Sequence, residues 1–223
     1  MVSVEEATSI ILSHLFIPTI EKVEISKAIG RILAQSIEAD RDFPPFDRVS
    51  MDGIAIPFEA YQKGVRSFGI QDVQAAGRPQ LKLTEASKCI EVMTGAMLPE
   101  GTDTVIRYED LEIKNKLAVI STHEIIKGQN IHIRGIDARK KDKLLSAGLK
   151  ICPAEVALFA SIGKSHVEVY ASPRVAIIST GDELVGIDEI PLAHQIRKSN
   201  SYALQAALGE LGLTSTQIGR AHV

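Results

Sequence analysis

Two aspartates stand beside glycines at positions where a carboxylate could meet a ligand. Asp52-Gly53 closes Phe43-Pro44-Pro45-Phe46-Asp47-Arg48-Val49-Ser50-Met51-Asp52-Gly53-Ile54-Ala55. The prolines fix φ and remove backbone donors, so the approach is extended and stiff. Asp-Gly then predicts a tight turn, because Gly reaches φ > 0 without a steric penalty. Asp52 is thereby held at the mouth of a turn, either as a cap or as a ligand. Gly181-Asp182 follows the apolar run Val175-Ala176-Ile177-Ile178. That run reads as a buried parallel strand, and α/β sheets bind ligands at the carboxyl ends of such strands. Ser199-Asn200 precedes a helical stretch, where backbone N–H groups favour phosphate. Thr94-Gly95 offers a hydroxyl and accessible backbone, or simply a strand-ending turn.

Other chemistries find no constellation. Six histidines are scattered, at 14, 123, 132, 166, 194 and 222, and no Ser-His-Asp or Cys-His arrangement appears. Cys89 and Cys152 are far apart, which fits neither a disulfide framework nor a zinc site and is compatible with a reducing cytoplasm. The glycine-rich segments match neither GxxxxGK[ST] nor GxGxxG.

The elements that must position these residues fall into three stretches. Ser3-Val4-Glu5-Glu6 has the form of a capping box, and Ala7, Ile10, Ile11 and Leu15 follow at helical spacing until Pro18. Short strands are expected near 23–25 and 37–39. From Gly53 to Arg134 the apolar runs are short and separated by Gly, Pro, Asn and Asp: 53–56, 67–70, 88–93, 104–107, 117–121 and 130–133, with a hairpin turn at Lys114-Asn115-Lys116. This spacing predicts a small β domain. The segment 144–148 turns back towards helix, Pro153 suits a helix N1 position, Gly163 suits C′, and 167–170 reads as a strand. Beyond Pro173, the strand at 175–179 and a helix from Tyr202 to Leu211 form one β-loop-helix unit. Leu204, Leu208 and Leu211 share a face of that helix, and Gly212 can cap it.

The totals narrow the class. The chain has 223 residues, 45% hydrophobic and 24% charged, as in ordinary globular proteins. Aromatic residues make up 4% and Trp is absent, so aliphatic side chains must fill the core. A net charge of −3 argues against a general nucleic-acid footprint. No apolar run approaches the roughly 20 residues that span a bilayer, and the first residues lack a signal-peptide pattern, so a cytoplasmic protein without membrane attachment is expected.

Pro-Pro-Phe-Asp-x-x-x-Met-Asp-Gly-Ile-Ala resembles the signature of the MoeA family, the molybdopterin molybdenumtransferases, which include the E domain of gephyrin. Further matches follow in the family's order: Met93-Thr94-Gly95-Ala96-Met97-Leu98-Pro99-Glu100-Gly101-Thr102-Asp103-Thr104-Val105-Ile106, Ile131 to Asp137, Ser179 to Leu184, and Ser199-Asn200-Ser201. The resemblance covers nearly the whole chain but only the N-terminal part of the family's length. It implies an α/β and β multi-domain fold. Residues 1–46 and 138–171 would form a discontinuous N-terminal domain, with residues 47–137 as an inserted β domain. Residues 172–217 would begin a doubly wound α/β molybdopterin-binding domain, truncated within it. Residues 218–223, Ile-Gly-Arg-Ala-His-Val, are expected to be a non-native tail, since the start of a common short-read sequencing adapter encodes them in one frame.

The same resemblance implies a reaction: molybdate is inserted into adenylylated molybdopterin, with release of AMP and a requirement for Mg²⁺. It implies that Asp52, Asp182 and Asp137 are catalytic and that Asp52 and Asp182 hold the metal. Thr94, Gly95, Glu155, Gly181, Ser199 and Asn200 would contact the pterin substrate. Asp137 as a surface salt-bridge partner and Glu155 as a plain first-turn acid remain alternatives. Glu183 could cap a turn. Lys198, where many relatives have Asp or Asn, could bind phosphate or face solvent. A homodimer is implied, and association with a molybdopterin adenylyltransferase is a further possibility. Three competing readings are a peptide-binding scaffold of the gephyrin E-domain type, an adenylyltransferase and an inactive truncated remnant. The N-terminal helix and the inserted β domain argue against an adenylyltransferase, which is a lone α/β domain.

Overall fold

The run Gly53-Ile54-Ala55-Ile56 forms a strand with every residue buried, and a sheet is built on both sides of it. In this computed structural model, which describes residues 2–122 and 124–218, the protein is a strand-rich mixed α/β chain of two units. One unit comprises residues 37–144; the other comprises residues 1–36 and 145–223.

The 37–144 unit contains a six-stranded sheet in the order Thr104–Arg107, Gly53–Ile56, Lys88–Val92, Ser67–Gln74, Leu117–Ile120, Leu111–Lys114. Only Ser67–Gln74 and Lys88–Val92 run parallel, with a register shift between Ile70 and Asp72. The alternation of side chains along Gly53–Ile56 feeds two cores. Ile54 and Ile56 join Phe68, Cys89, Ile106 and Ala118, whereas Ala55 joins Val49, Ile90, Val92, Leu98 and Val105. Strands covered on both faces read as continuous apolar runs, which is why Ile54-Ala55-Ile56 shows no polar alternation. Gly53 is required here: a Cβ would stand 1.9 Å from the Ile106 carbonyl oxygen, which is backbone and cannot yield. Asn115 and Lys116, at φ +51° and +59°, make the expected hairpin turn, whose first strand, Leu111–Lys114, the apolar pattern did not reveal. The helix Phe58–Gln62 was also not foreseen.

The proline arm is fastened to a later segment. Phe43 N–H donates to the Ala138 carbonyl at 2.7 Å, Asp137 N–H to Phe43 at 2.9 Å and Gly135 N–H to Pro44 at 3.0 Å. Arg48-Val49 then pairs antiparallel with Ile131-His132.

In the other unit, Ile20–Glu24 pairs antiparallel with His166–Tyr170. Leu33, Ile151, Phe159, Val167 and Val169 are buried at 1% exposure or less. The first helix, Val4–Ser13, is capped by Ser3, whose hydroxyl accepts the Glu6 N–H at 3.1 Å; the return bond of a full capping box does not form. The helix Pro153–Ser161 does have a capping box, made by Cys152 and Glu155. Where the sequence pointed back towards helix after 144, the chain is instead strand at Lys143–Leu145 and turn at Gly148.

The last elements are Val175–Ile178, Leu184–Val185, Ile196–Arg197, the helix Asn200–Glu210 and Ser215–Ile218. Val175–Ile178 is parallel to Ser215–Ile218, as a β-loop-helix unit requires. The expected burial is not reached: Ile177 is buried, but Ile178 is 56% exposed, because Ser215–Ile218 is the strand's one partner among the described residues. Leu204 on the following helix and Leu211 at its C-cap are likewise exposed. Of the expected tail, Ile218 ends the last strand, and residues 219–223 lie outside the described residues, as do His123 and His222.

Candidate active site

The turn at Asp52 is built by three neighbouring segments. The loop after Lys88–Val92 is stitched to the proline arm: Val49 N–H donates to Ala96, Gly95 N–H to Val49 and Leu98 N–H to Asp47, all at 2.8–2.9 Å. This lays Thr94 against the Asp52 carboxylate. Thr94 donates its backbone N–H to Asp52 Oδ1 at 2.6 Å and its hydroxyl to the same oxygen at 2.8 Å. The Thr94 N–H, and then its hydroxyl, hold the Asp52 carboxyl below the usual carboxylate range, so Asp52 is an anion at neutral pH. Gly95 lies at φ +86° and lets the loop turn away immediately after this contact.

Tyr108 is a further neighbour of Asp52. Its backbone N–H donates to the Asp52 carbonyl at 3.1 Å, and its hydroxyl donates to Glu91 Oε1. Burial first, and then the Glu91 bond, push the Tyr108 phenol well above its ordinary value. Tyr108 and Glu91 escaped the sequence reading. Strand register was the signal that could have found them: Gly53 opposes both Val92 and Arg107, which brings their neighbours to the turn.

Asp137 is placed in the same unit but on different partners. It accepts from His132 Nε2 at 3.2 Å, and both groups are exposed, so the ion-pair alternative has a partner in place. Arg134 does not reach Asp137. Its backbone N–H donates to Asp47 Oδ1 at 2.8 Å and its Nε to Asp42 Oδ2 at 2.7 Å. The Lys140 N–H, followed by Arg134, draws the Asp42 carboxyl below the usual range. Asp47 and Arg134 line a cleft of about 380 Å³ with Gln80, Pro99, Glu100 and Thr102.

The remaining residues lie in the second unit. Glu155 is engaged with its own helix: its Oε2 accepts the Cys152 thiol at 2.5 Å and the Cys152 N–H at 2.9 Å, and these two bonds lower its carboxyl. Gly181, at φ +132°, and the exposed Asp182 follow the Val175–Ile178 strand. The Glu183 carboxylate folds back to within 2.7 Å of where a Gly181 Cβ would stand. Ser199 is the N-cap of Asn200–Glu210, yet its side chain makes no capping bond. A cavity of about 260 Å³ joins Ser179 and Thr180, at the strand's carboxyl end, to Lys198, Ser199 and Asn200 at the helix start. The structure thus assembles two clusters, Asp52–Thr94 and Thr180–Ser199–Asn200. No group of three or more His, Cys, Asp or Glu side chains poised for a metal occurs among the described residues.

Carboxylates of this kind can still hold a hard cation. Mg²⁺ is commonly bound through one or two carboxylates, with substrate phosphates and water completing the shell. Asp52 fits that donor chemistry, being ionised, exposed and fixed in place by Thr94.

Comparison with known proteins agrees with this architecture. Residues 2–163 match the family model described as MoeA N-terminal region (domain I and II). A molybdopterin molybdenumtransferase of Synechocystis is 40% identical over 219 residues, covering 98% of this chain and 56% of that protein. One from Haemophilus influenzae is 32% identical, covering 98% and 54%. The crystal structure of a molybdopterin biosynthesis MoeA protein from Pyrococcus horikoshii superposes with a TM-score of 0.81 at 32% identity, covering 97% of this chain and 56% of that one. A second MoeA structure from the same organism gives 0.85 at 29% identity. The chain therefore spans about half the length of the relatives it matches.

Proposed function

The chain belongs to the MoeA family, and on that premise we propose for it the insertion of molybdate into adenylylated molybdopterin, with release of AMP. The observation that carries this reading is the Asp52–Thr94 pair. A carboxylate on an exposed turn is ordinarily solvated and mobile. Here two donors from Thr94 orient it and keep it ionised, as a site for cationic or phosphate-bearing ligands demands.

The chain's own residues divide the work. Asp52 is the fixed anion, Thr94 holds it, and Gly95 turns the loop away directly after that contact. Asp182 stands at the carboxyl end of a parallel strand, where α/β sheets receive ligands. Gly181 gives Asp182 its approach. Ser199 and Asn200 present a helix N-terminus without a side-chain cap, suited to a phosphate or the pterin. Asp137 and Glu155 complete the set, each with a structural bond in addition. Asp52 in one unit and Asp182 in the other are each proposed as a ligand for Mg²⁺, which would neutralise phosphate charge. The full protein is proposed to be a cytoplasmic homodimer that can meet a molybdopterin adenylyltransferase. The first helix supports dimerisation: it buries none of its residues and leaves Ile10, Ile11 and Leu12 exposed, an apolar surface of the kind that partners cover. No described helix is long and apolar enough to cross a membrane. The domain arrangement proposed is an N-terminal domain in two segments, 1–46 and 138–171, an insertion at 47–137, and an α/β domain beginning at 172.

The test is to make Asp52→Ala and Asp182→Ala in the full-length protein and measure molybdenum cofactor formation from adenylylated molybdopterin. Loss of product by variants that remain folded is expected; Asp52→Ala, which also gives up both Thr94 bonds, should unfold at a lower temperature than wild type. Normal product formation by the double variant would overturn the assignment.

A further inference from the structure

Among the described residues, two buried hydroxyls have no hydrogen-bond partner, those of Ser201 and Ser215. Ser215 is not among the residues lining the cavity at the helix start, but Ser201 is. Ser201 is 4% exposed and occupies the first turn of Asn200–Glu210. A polar group buried without a partner is uncommon and calls for an explanation. Tyr202 N–H and Ala203 N–H both turn to the Ser199 carbonyl, and the Ser199 side chain does not cap the helix. The helix start, uncapped by Ser199, borders the cavity.

The rest of the lining tells what would satisfy it. Ser179, Thr180, Ser199 and Ser201 contribute hydroxyls, Asn200 an amide, and Arg197 and Lys198 positive charge, with no carboxylate among the lining residues. Arg197 spends its Nε on the Glu189 carbonyl at 3.0 Å. A helix N-terminus adds positive potential and free N–H donors. Hydroxyl donors, a lysine and a helix N-terminus together select a tetrahedral dianion rather than a flat, neutral ring.

We propose that Ser201 is a phosphate-binding residue, its buried hydroxyl completing with Lys198 and the Asn200–Glu210 helix N-terminus a pocket for the phosphate group of the substrate. This rests on the reading above that Ser199 and Asn200 contact the substrate, and it refines that reading to the phosphate end. Lys198, left open between solvent and phosphate by its sequence, is thereby assigned to the ligand.

The test is a titration of the ¹⁵N-labelled chain with inorganic phosphate, followed by amide shifts, for wild type and Ser201→Ala. Phosphate is expected to move the amides of residues 198–203. Ser201→Ala should weaken binding about fivefold, the effect of one hydrogen bond. The same variant removes an unsatisfied buried hydroxyl, so its thermal transition should stay level or rise. A purely structural serine would lower it. Amide shifts with unchanged affinity in Ser201→Ala would overturn the role of Ser201 and leave Ser199 and Asn200 standing. No shift in residues 198–203 would overturn both.

Discussion

Thr94 makes two hydrogen bonds to a single oxygen of Asp52, through its N–H at 2.6 Å and its hydroxyl at 2.8 Å. The two residues lie on different segments, so the contact reports the meeting of the proline arm with the loop after Lys88–Val92. Thr94→Ala removes the hydroxyl and keeps the N–H, whereas Thr94→Ser keeps both donors. The carboxyl is held low in the folded state, so its bonds stabilise the fold above the unfolded value of about 4. That contribution is lost as pH falls through the lower, folded value. Thr94→Ala should therefore be less stable than wild type in urea at pH 7, and the gap should close towards pH 2. Thr94→Ser should track wild type throughout.

Gly53→Ala is expected to cost about 3 kcal/mol or more, as strong local clashes do. The new Cβ would meet the Ile106 carbonyl at 1.9 Å on a strand paired on both sides. Thermal unfolding measures it, and a shift of only a degree or two would contradict the described register.

Glu155 can be separated from its cap. Glu155→Ala removes both bonds to Cys152 and should lower the thermal transition. Glu155→Gln retains an acceptor and should restore most of it. If the carboxylate also serves the substrate, cofactor formation by the full-length Glu155→Gln variant should stay low although its stability has returned.

The two cysteines should differ in reactivity. Cys89 is buried in the sheet core, and burial, with Glu91 nearby, pushes its thiol up to about 12. Cys152 is exposed. The thiolate is the reactive form, so a thiol reagent at pH 8 should modify one cysteine in the native chain and both in denaturant.

The sequence was most informative where backbone constraint and composition coincide. Gly53–Ile56 and Thr104–Arg107 are strands over the expected residues, Pro153 opens its helix, and Asn115-Lys116 makes its turn. These features are local: a φ requirement, a missing N–H, a short apolar run. The bond between Thr94 and Asp52 was not legible, because no local signal says which hydroxyl meets which carboxylate across 42 residues. Leu111–Lys114 was missed since its residues are mostly exposed at the sheet edge, so little apolar pattern marks it. Val175–Ile178 departs in the opposite sense: its apolar composition reports what a strand can bury and not how many neighbours it has.

The layout of the sheet also sets an order of events. Leu111–Lys114 and Leu117–Ile120 meet across a two-residue turn, whereas Gly53–Ile56 must find Thr104–Arg107 some fifty residues later. Local contacts form early and long-range closure is slow. The edge hairpin is thus where the sheet can start, and the Asp52 turn, which needs both distant partners, is finished only when the central strands lock. During synthesis, the strand that follows Asp52 emerges before the rest of the sheet and must wait for the chain to supply its neighbours.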